Sequence, residues 1–214
     1  MEQFDGGIGV DRVFWIARLM IESSRNAALP EGTLPDLVEF HRYWASLPTH
    51  GLMPSLSDYL DHAPPHLQPN VGIADVLSPT QVQVRLYGTA LLNLAGKDAT
   101  HASVNLLYAD HLKPAVGQLA WLVVSHPFGY LGVRSTRTGA GRLIHSPCVC
   151  LPIQNRDATI KMIINYSHID KSPTTMPEDD KSILVHGFNV THMIDLGAGL
   201  PGSLPKALTQ PMIQ

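Results

Sequence analysis

The segment Val82–Gly96, VQVRLYGTALLNLAG, changes its hydrophobic period in mid-run, and few architectures accommodate that. Val82, Val84 and Leu86 alternate with Gln83, Arg85 and Tyr87, the period-2 pattern of a half-buried strand. At Gly88-Thr89 the alternation stops without a linker. Thr is a residue type that caps helices. Ala90, Leu91, Leu92 and Leu94 favour a helix, and Gly96 stands where a helix is usually closed. The expectation is a strand over Val82–Tyr87 running straight into a short helix over Ala90–Ala95.

Upstream, Val10–Ser24 carries Val10, Val13, Phe14, Ala17, Met20 and Ile21 on one helical stripe. Trp15 and Leu19 widen that stripe. After the break LPEGTLPD, a second helix follows Pro35-Asp36, with Leu37, Phe40, His41, Trp44 and Leu47 on one face. Trp44 is expected to be buried there. Pro48–Pro79 reads mostly as loop, except that Val71–Leu77 is apolar enough for a strand. Lys97–Leu107 reads as a loop and Ala109–His126 as the longest helix, ended by Pro127. Phe128–Thr136, Leu143–Gln154 and Thr159–His168 read as strands, and RTGAGR and QNRDA between them supply hairpin residues. The tail from Lys171 is rich in Pro and Gly, apart from Ser182–Leu196, a strand or helix docked on the body.

Several chemistries lose their footing on inspection. Gly197, Gly199 and Gly202 spell G-x-G-x-x-G, but Pro201 and Pro205 forbid the helix that a dinucleotide site needs. His62 and His66 are four apart, yet Ala-Pro-Pro within the interval breaks any shared helical face. His186 and His192 have no third ligand in register, so no metal site is expected. Cys148 and Cys150 flank one residue of a strand, about 6.6 Å apart on one face, near the upper end of disulfide spacing and with parallel side chains, so a bridge would be strained. They read as reduced, buried residues. No G-x-S-x-G elbow occurs. Between Gln81 and Asn155 the acids are Asp98 and Asp110, so paired-carboxylate chemistry would have to recruit Asp58, Asp61 or Asp75.

The junction RLYGT, the GKDAT that follows it, and Tyr43-Trp44 upstream together resemble the PAS domain family. The likeness is to a stand-alone bacterial subgroup with Tyr-Trp and Arg-Leu-x-Gly-Thr motifs, and it covers Leu37 to Ile169. It implies an α+β fold: a five-stranded antiparallel sheet with helices packed on one face, plus an N-terminal helix. The organisation expected is a helical arm over 1–34, a PAS-like domain over 35–170 and a Pro/Gly-rich extension over 171–214. Tyr43, Trp44, Arg85, Gly88, Thr89 and Gly96 would be its structural motif residues. Arg85, a fixed charge on the strand, is expected to reach Asp58, Asp61 or Asp75. Relatives carry basic residues after the Tyr-Trp where this chain reads SLPTHGLMPSL, so their role there is not transferred.

PAS relatives hold ligands between the inner sheet face and the helices that follow the second strand. Flavin-adduct and chromophore-linked relatives need a cysteine that Lys97–His126 lacks. Haem relatives use a histidine on the long helix, where only His111 and His126 stand, near its ends. The resemblance therefore assigns no cofactor. A pocket built from Asn93, His111 and Trp121 with Met162 and Tyr166 of the last strand is expected, Ile160, Met162, Ile164 and Tyr166 sharing one face. A few polar groups in an apolar setting mark a small-molecule site, and an ordinary core shows the same composition.

The chain of 214 residues can bury a sizeable core. A net charge of −3, with 15 basic residues and no run of them, argues against nucleic acid as a partner. No apolar run approaches the twenty or so residues of a bilayer span, and MEQFDGGIG is not a signal peptide. The expectation is a cytoplasmic PAS-like sensory or interaction module without its own output domain. It would form a homodimer through Val10–Ser24, bind a small molecule and hand its signal to a protein partner. The alternative, from a different class, is a small α+β enzyme or carrier using the same cavity.

Overall fold

A computed structural model describes residues 28–138, 141–169 and 184–209. The helix expected over Val10–Ser24 lies outside them. The described chain begins with α1 (Pro35–Ser46), a two-stranded hairpin of β1 (Thr49–His50) and β2 (Met53–Pro54), and α2 (Leu56–Asp61). Next come β3 (Val71–Ser78), β4 (Gln81–Tyr87), α3 (Thr89–Ala95) and α4 (Lys113–Ser125). The strands β5 (Phe128–Arg137), β6 (Leu143–Gln154), β7 (Lys161–Ser167) and β8 (Leu184–Asp195) complete the body. The stretch expected as loop over Pro48–Pro79 thus holds a hairpin and a helix, whose Ser55 side chain caps α2 by accepting from Asp58 N.

The sheet has six strands in the order β4-β3-β7-β6-β5-β8, every neighbouring pair antiparallel. The class is the α+β, PAS-like one. The strand count is six rather than five because Leu184–Asp195 adds an edge strand beside β5. The helices also divide between the two faces. On one, α4 lays Val116, Leu119, Ala120 and Val123 against Val76, Val84, Tyr130 and Cys150. On the other, α1 lays Leu37, Phe40 and Trp44 against Val149, Leu151, Met162 and Ile164. Period-2 alternation in β6 and β7 feeds both layers, so a strand apolar on both sides is what this sandwich needs.

Prolines inside β6, normally excluded from central strands, fall where one neighbour has ended. Pro147 precedes the first β6–β7 pair, Cys148↔Ser167, and Pro152 lies beyond the last β5–β6 pair, Tyr130↔Cys150. At the strand-to-helix junction the N-cap is Gly88 rather than Thr89, with no side-chain cap. A Cβ at Gly88 would meet the Pro69 carbonyl oxygen at 2.3 Å, so only glycine lets β4 turn that closely beside the preceding chain. Gly96 closes α3 at φ 65°.

Candidate ligand cavity

The cavity opens between the α4 face of the sheet and the α3–α4 segment, with a volume of about 100 Å³. Its apolar wall includes Leu91 and Leu94 from α3, Val104 and Leu107 from the 3₁₀ turn, and Val116 and Ala120 from α4. Its polar end is built by the sheet. Alternation along β5 turns Tyr130, Arg134 and Thr136 to this face; β6 adds Ser146, and β7 adds Asn165 and Ser167. Among these, Tyr130, Thr136, Ser146 and Ser167 are buried.

Arg134 is the centre of the polar end. Its Nε donates to Tyr108 Oη at 3.1 Å and its Nη1 to Ser167 Oγ at 2.6 Å. Ser167 is itself fixed by two amides, Asn165 Nδ2 donating to its Oγ at 3.3 Å and Asn70 Nδ2 to its carbonyl at 2.8 Å. The guanidinium carbon lies 5.4 Å from the Phe188 ring centroid. That stacking depends on Gly132, because a Cβ there would meet Phe188 Cε2 at 2.8 Å. Burial pushes the Tyr87 phenol up to about 12 and raises those of Tyr108 and Tyr130. Burial likewise raises the Cys148 thiol and pushes Cys150 up to about 12. Near neutrality the phenols and thiols are therefore neutral and Arg134 carries the charge.

None of the five residues expected to line the pocket does so. Asn93 is on the exposed side of α3, and Trp121 is 38% exposed on the outer side of α4. His111 is exposed, its Nε2 3.1 Å from the His186 carbonyl oxygen. Met162 and Tyr166 are buried on the α1 face, where Tyr166 stacks on Phe40 at 5.4 Å. The cause is parity: Ile163, Asn165 and Ser167, one residue out of step, face the cavity. His126 points its Nε2 to the Gly199 carbonyl oxygen at 3.1 Å. Neither His111 nor His126 lines the cavity, so these residues do not fit an axial haem ligand there.

None of the motif residues lines the cavity. Tyr43 Oη donates to the Tyr59 carbonyl at 2.7 Å and Trp44 Nε1 to the Pro152 carbonyl at 3.1 Å, tying α1 to α2 and to β6. Arg85 occupies an irregularity in the β3–β4 register and grips Asp75 bidentately, Nε–Oδ1 2.7 Å and Nη2–Oδ2 2.8 Å. Gly197 N and Gly199 N both donate to Asp195 Oδ1, at 2.8 and 3.0 Å, so the glycine-rich stretch closes a turn after β8. Among the described residues no group of three or more His, Cys, Asp or Glu is arranged to hold a metal. No helix among them is long and apolar enough to cross a membrane.

An antiparallel sheet with a small cavity under the helices that follow its second long strand is the arrangement of a PAS-type α+β domain. The sequence places the chain accordingly: residues 33–165, well over half of its length, match the PAS domain family, and the chain belongs to that family. No curated protein matches it. Among solved structures it is similar to one described as an RNA-binding Light-Oxygen-Voltage receptor, at 16% identity and a TM-score of 0.40. That match covers 80% of this chain and 52% of the other, so the chain spans about half the length of that receptor. β8, which supplies Phe188, lies beyond the family match.

Proposed function

We propose that this protein is a PAS-type sensory module that holds a small molecule in the cavity beneath α3 and α4 and passes its occupancy to a protein partner. The observation that carries this reading is the cavity itself, apolar on the helix side and converging on Arg134, Tyr108, Ser146 and Ser167 on the sheet side. Small-molecule sites combine those two features. α3 is a short helix hung between a glycine N-cap and a glycine C-cap, which suits it to shift when the cavity fills. Cys148 and Cys150, two residues apart on one face of β6 and free, suit a reducing compartment, which favours the cytoplasm.

Native mass spectrometry of gently purified protein tests the reading. A bound small molecule that denaturation releases is the expected result, and Ala120→Leu, which fills the cavity from α4, should lower its occupancy. Protein that carries nothing, and whose amide NMR spectrum does not respond to a library of small fragments, would sink the proposal.

Dimerisation through residues 10–24 belongs to the same reading, because an apolar stripe widened by Trp15 and Leu19 exceeds what one surface buries. Sedimentation of a chain starting at Thr33 should show a dissociation constant at least about tenfold weaker than that of the full chain, roughly 1.4 kcal/mol of association. Unchanged affinity would assign the interface elsewhere.

A further inference from the structure

Arg134 carries a charge that no carboxylate among the described residues balances. Its three partners, Tyr108, Ser167 and the Phe188 ring, are uncharged. A guanidinium has five N–H donors and cannot give up its proton, so the half-buried Arg134 keeps its charge beside the cavity. Two of those donors have acceptors among the described residues, and the Nη2 edge of the planar fork makes no hydrogen bond to them.

The hydroxyls around it share the same polarity. Tyr108 Oη and Ser167 Oγ each accept from Arg134, and Ser167 Oγ also accepts from Asn165, so the proton of each hydroxyl is left to donate. Ser146 stands directly opposite Arg134 in the β5–β6 register, is 4% exposed, and has no partner for its hydroxyl among the described residues. The polar end thus offers one cation and, at Tyr108, Ser146 and Ser167, hydroxyl protons able to donate, beside the hydroxyls of Tyr130 and Thr136 and the amide of Asn165. Facing it across the cavity are the aliphatic side chains of Leu91, Val104, Val116 and Ala120.

We propose that the cavity binds a small organic carboxylate with an apolar body, the carboxylate on Arg134, Tyr108, Ser146 and Ser167 and the body against α3 and α4. This rests on the reading of the cavity as a small-molecule site and names its ligand class. Bidentate pairing with the guanidinium fork is the geometry that carboxylates make best. A volume of about 100 Å³ is about two-thirds that of a cavity that takes up benzene, so an acid of the size of benzoate or hexanoate enters with an outward shift of α3.

Titration calorimetry on the full chain tests it, with benzoate and hexanoate against benzamide, hexanamide and inorganic phosphate. The acids should bind at least about tenfold more tightly than their neutral amides, and phosphate, which has no apolar body, should bind more weakly than benzoate. Arg134→Met should erase the preference for acid over amide, whatever the change in the thermal midpoint of the ligand-free protein, which also reflects the lost bonds to Tyr108 and Ser167. Ser146→Ala should leave that midpoint unchanged and weaken benzoate by about threefold or more. Acids and amides binding equally to the unmodified protein would overturn the carboxylate assignment and leave the cavity a site for neutral ligands. Phosphate binding as tightly as benzoate would overturn the apolar body. Silence towards every probe would overturn this inference and the ligand-binding reading together. Where Arg134→Met fails to fold, Ser146→Ala decides, and undiminished benzoate affinity in that variant overturns the site.

Discussion

Trp44 has no exposed surface, and its indole N–H, which would be an orphan in an apolar layer, donates to the carbonyl of Pro152. One side chain therefore fills the space between α1 and β6 and satisfies a carbonyl at the end of a strand pair. Trp44→Ala should cost about 3–5 kcal/mol, read in a denaturant titration; a loss below about 1 kcal/mol would mean that α1 is peripheral to the cooperative unit. Its burial was legible from the helical stripe it shares with Leu37 and Phe40. The cavity residues were not, and the reason is local. β7 reads KMIINYS, with Met162, Ile164 and Tyr166 on one face and Ile163, Asn165 and Ser167 on the other. Both faces are buried, one under α1 and one under α4, so the larger apolar set marks the tighter core and not the cavity. Asn165 and Ser167, polar residues beside buried neighbours, were the signal for the ligand side. Arg134, the first charge after the apolar run FGYLGV of β5, was the companion signal.

At the scale of elements, α1 is anchored at both ends, by Trp44 near its C-terminus and by Asp36 in its first turn. Asp36 Oδ2 accepts from His168 Nδ1 at 2.7 Å and from Tyr166 Oη at 3.0 Å, joining the helix to β7 and the residue after it. Burial works against the Asp36 charge, but the hydrogen bonds from His168 and Tyr166 outweigh it and hold the carboxyl below the usual range. The sign follows from linkage: a carboxyl depressed in the folded state contributes stability above its unfolded value, near pH 4, and loses it as pH falls through the folded value. Asp36→Asn should therefore cost about 1 kcal/mol at pH 7, and the gap to the unmodified protein should close below about pH 4. Urea midpoints measured from pH 7 down to pH 3 check this, and a gap that stays constant across the series would remove Asp36 from the acid response. Strand and helix identities were readable at this scale because each long element keeps its own period. α2 was hidden because six residues, LSDYLD, are too short to show a period against a Pro- and His-rich background.

Across the whole molecule, β8 joins what sequence patterning separates. The family match ends at residue 165, yet β8 pairs with β5 along its length, from Phe128↔Asp195 to Arg137↔Leu184. It also serves both layers: Phe188 packs with Tyr108 and Tyr130 on the cavity side, while Ile194 and Leu196 enter the α1 layer. Without it, β5 would present ten residues of unpaired edge, the feature that invites edge-to-edge association. Arg134 would lose its aromatic cover as well. A chain ending at Ile169 should therefore unfold at a lower denaturant midpoint than the full chain and aggregate on concentration, which light scattering would register. The same chain should also lose the response of Tyr108 and Tyr130 to cavity ligands in aromatic NMR, since Phe188 packs against both rings. A truncated chain with the full midpoint and an unchanged aromatic spectrum would make β8 an appendage; a fall in both would make it the sixth strand of the sensory core.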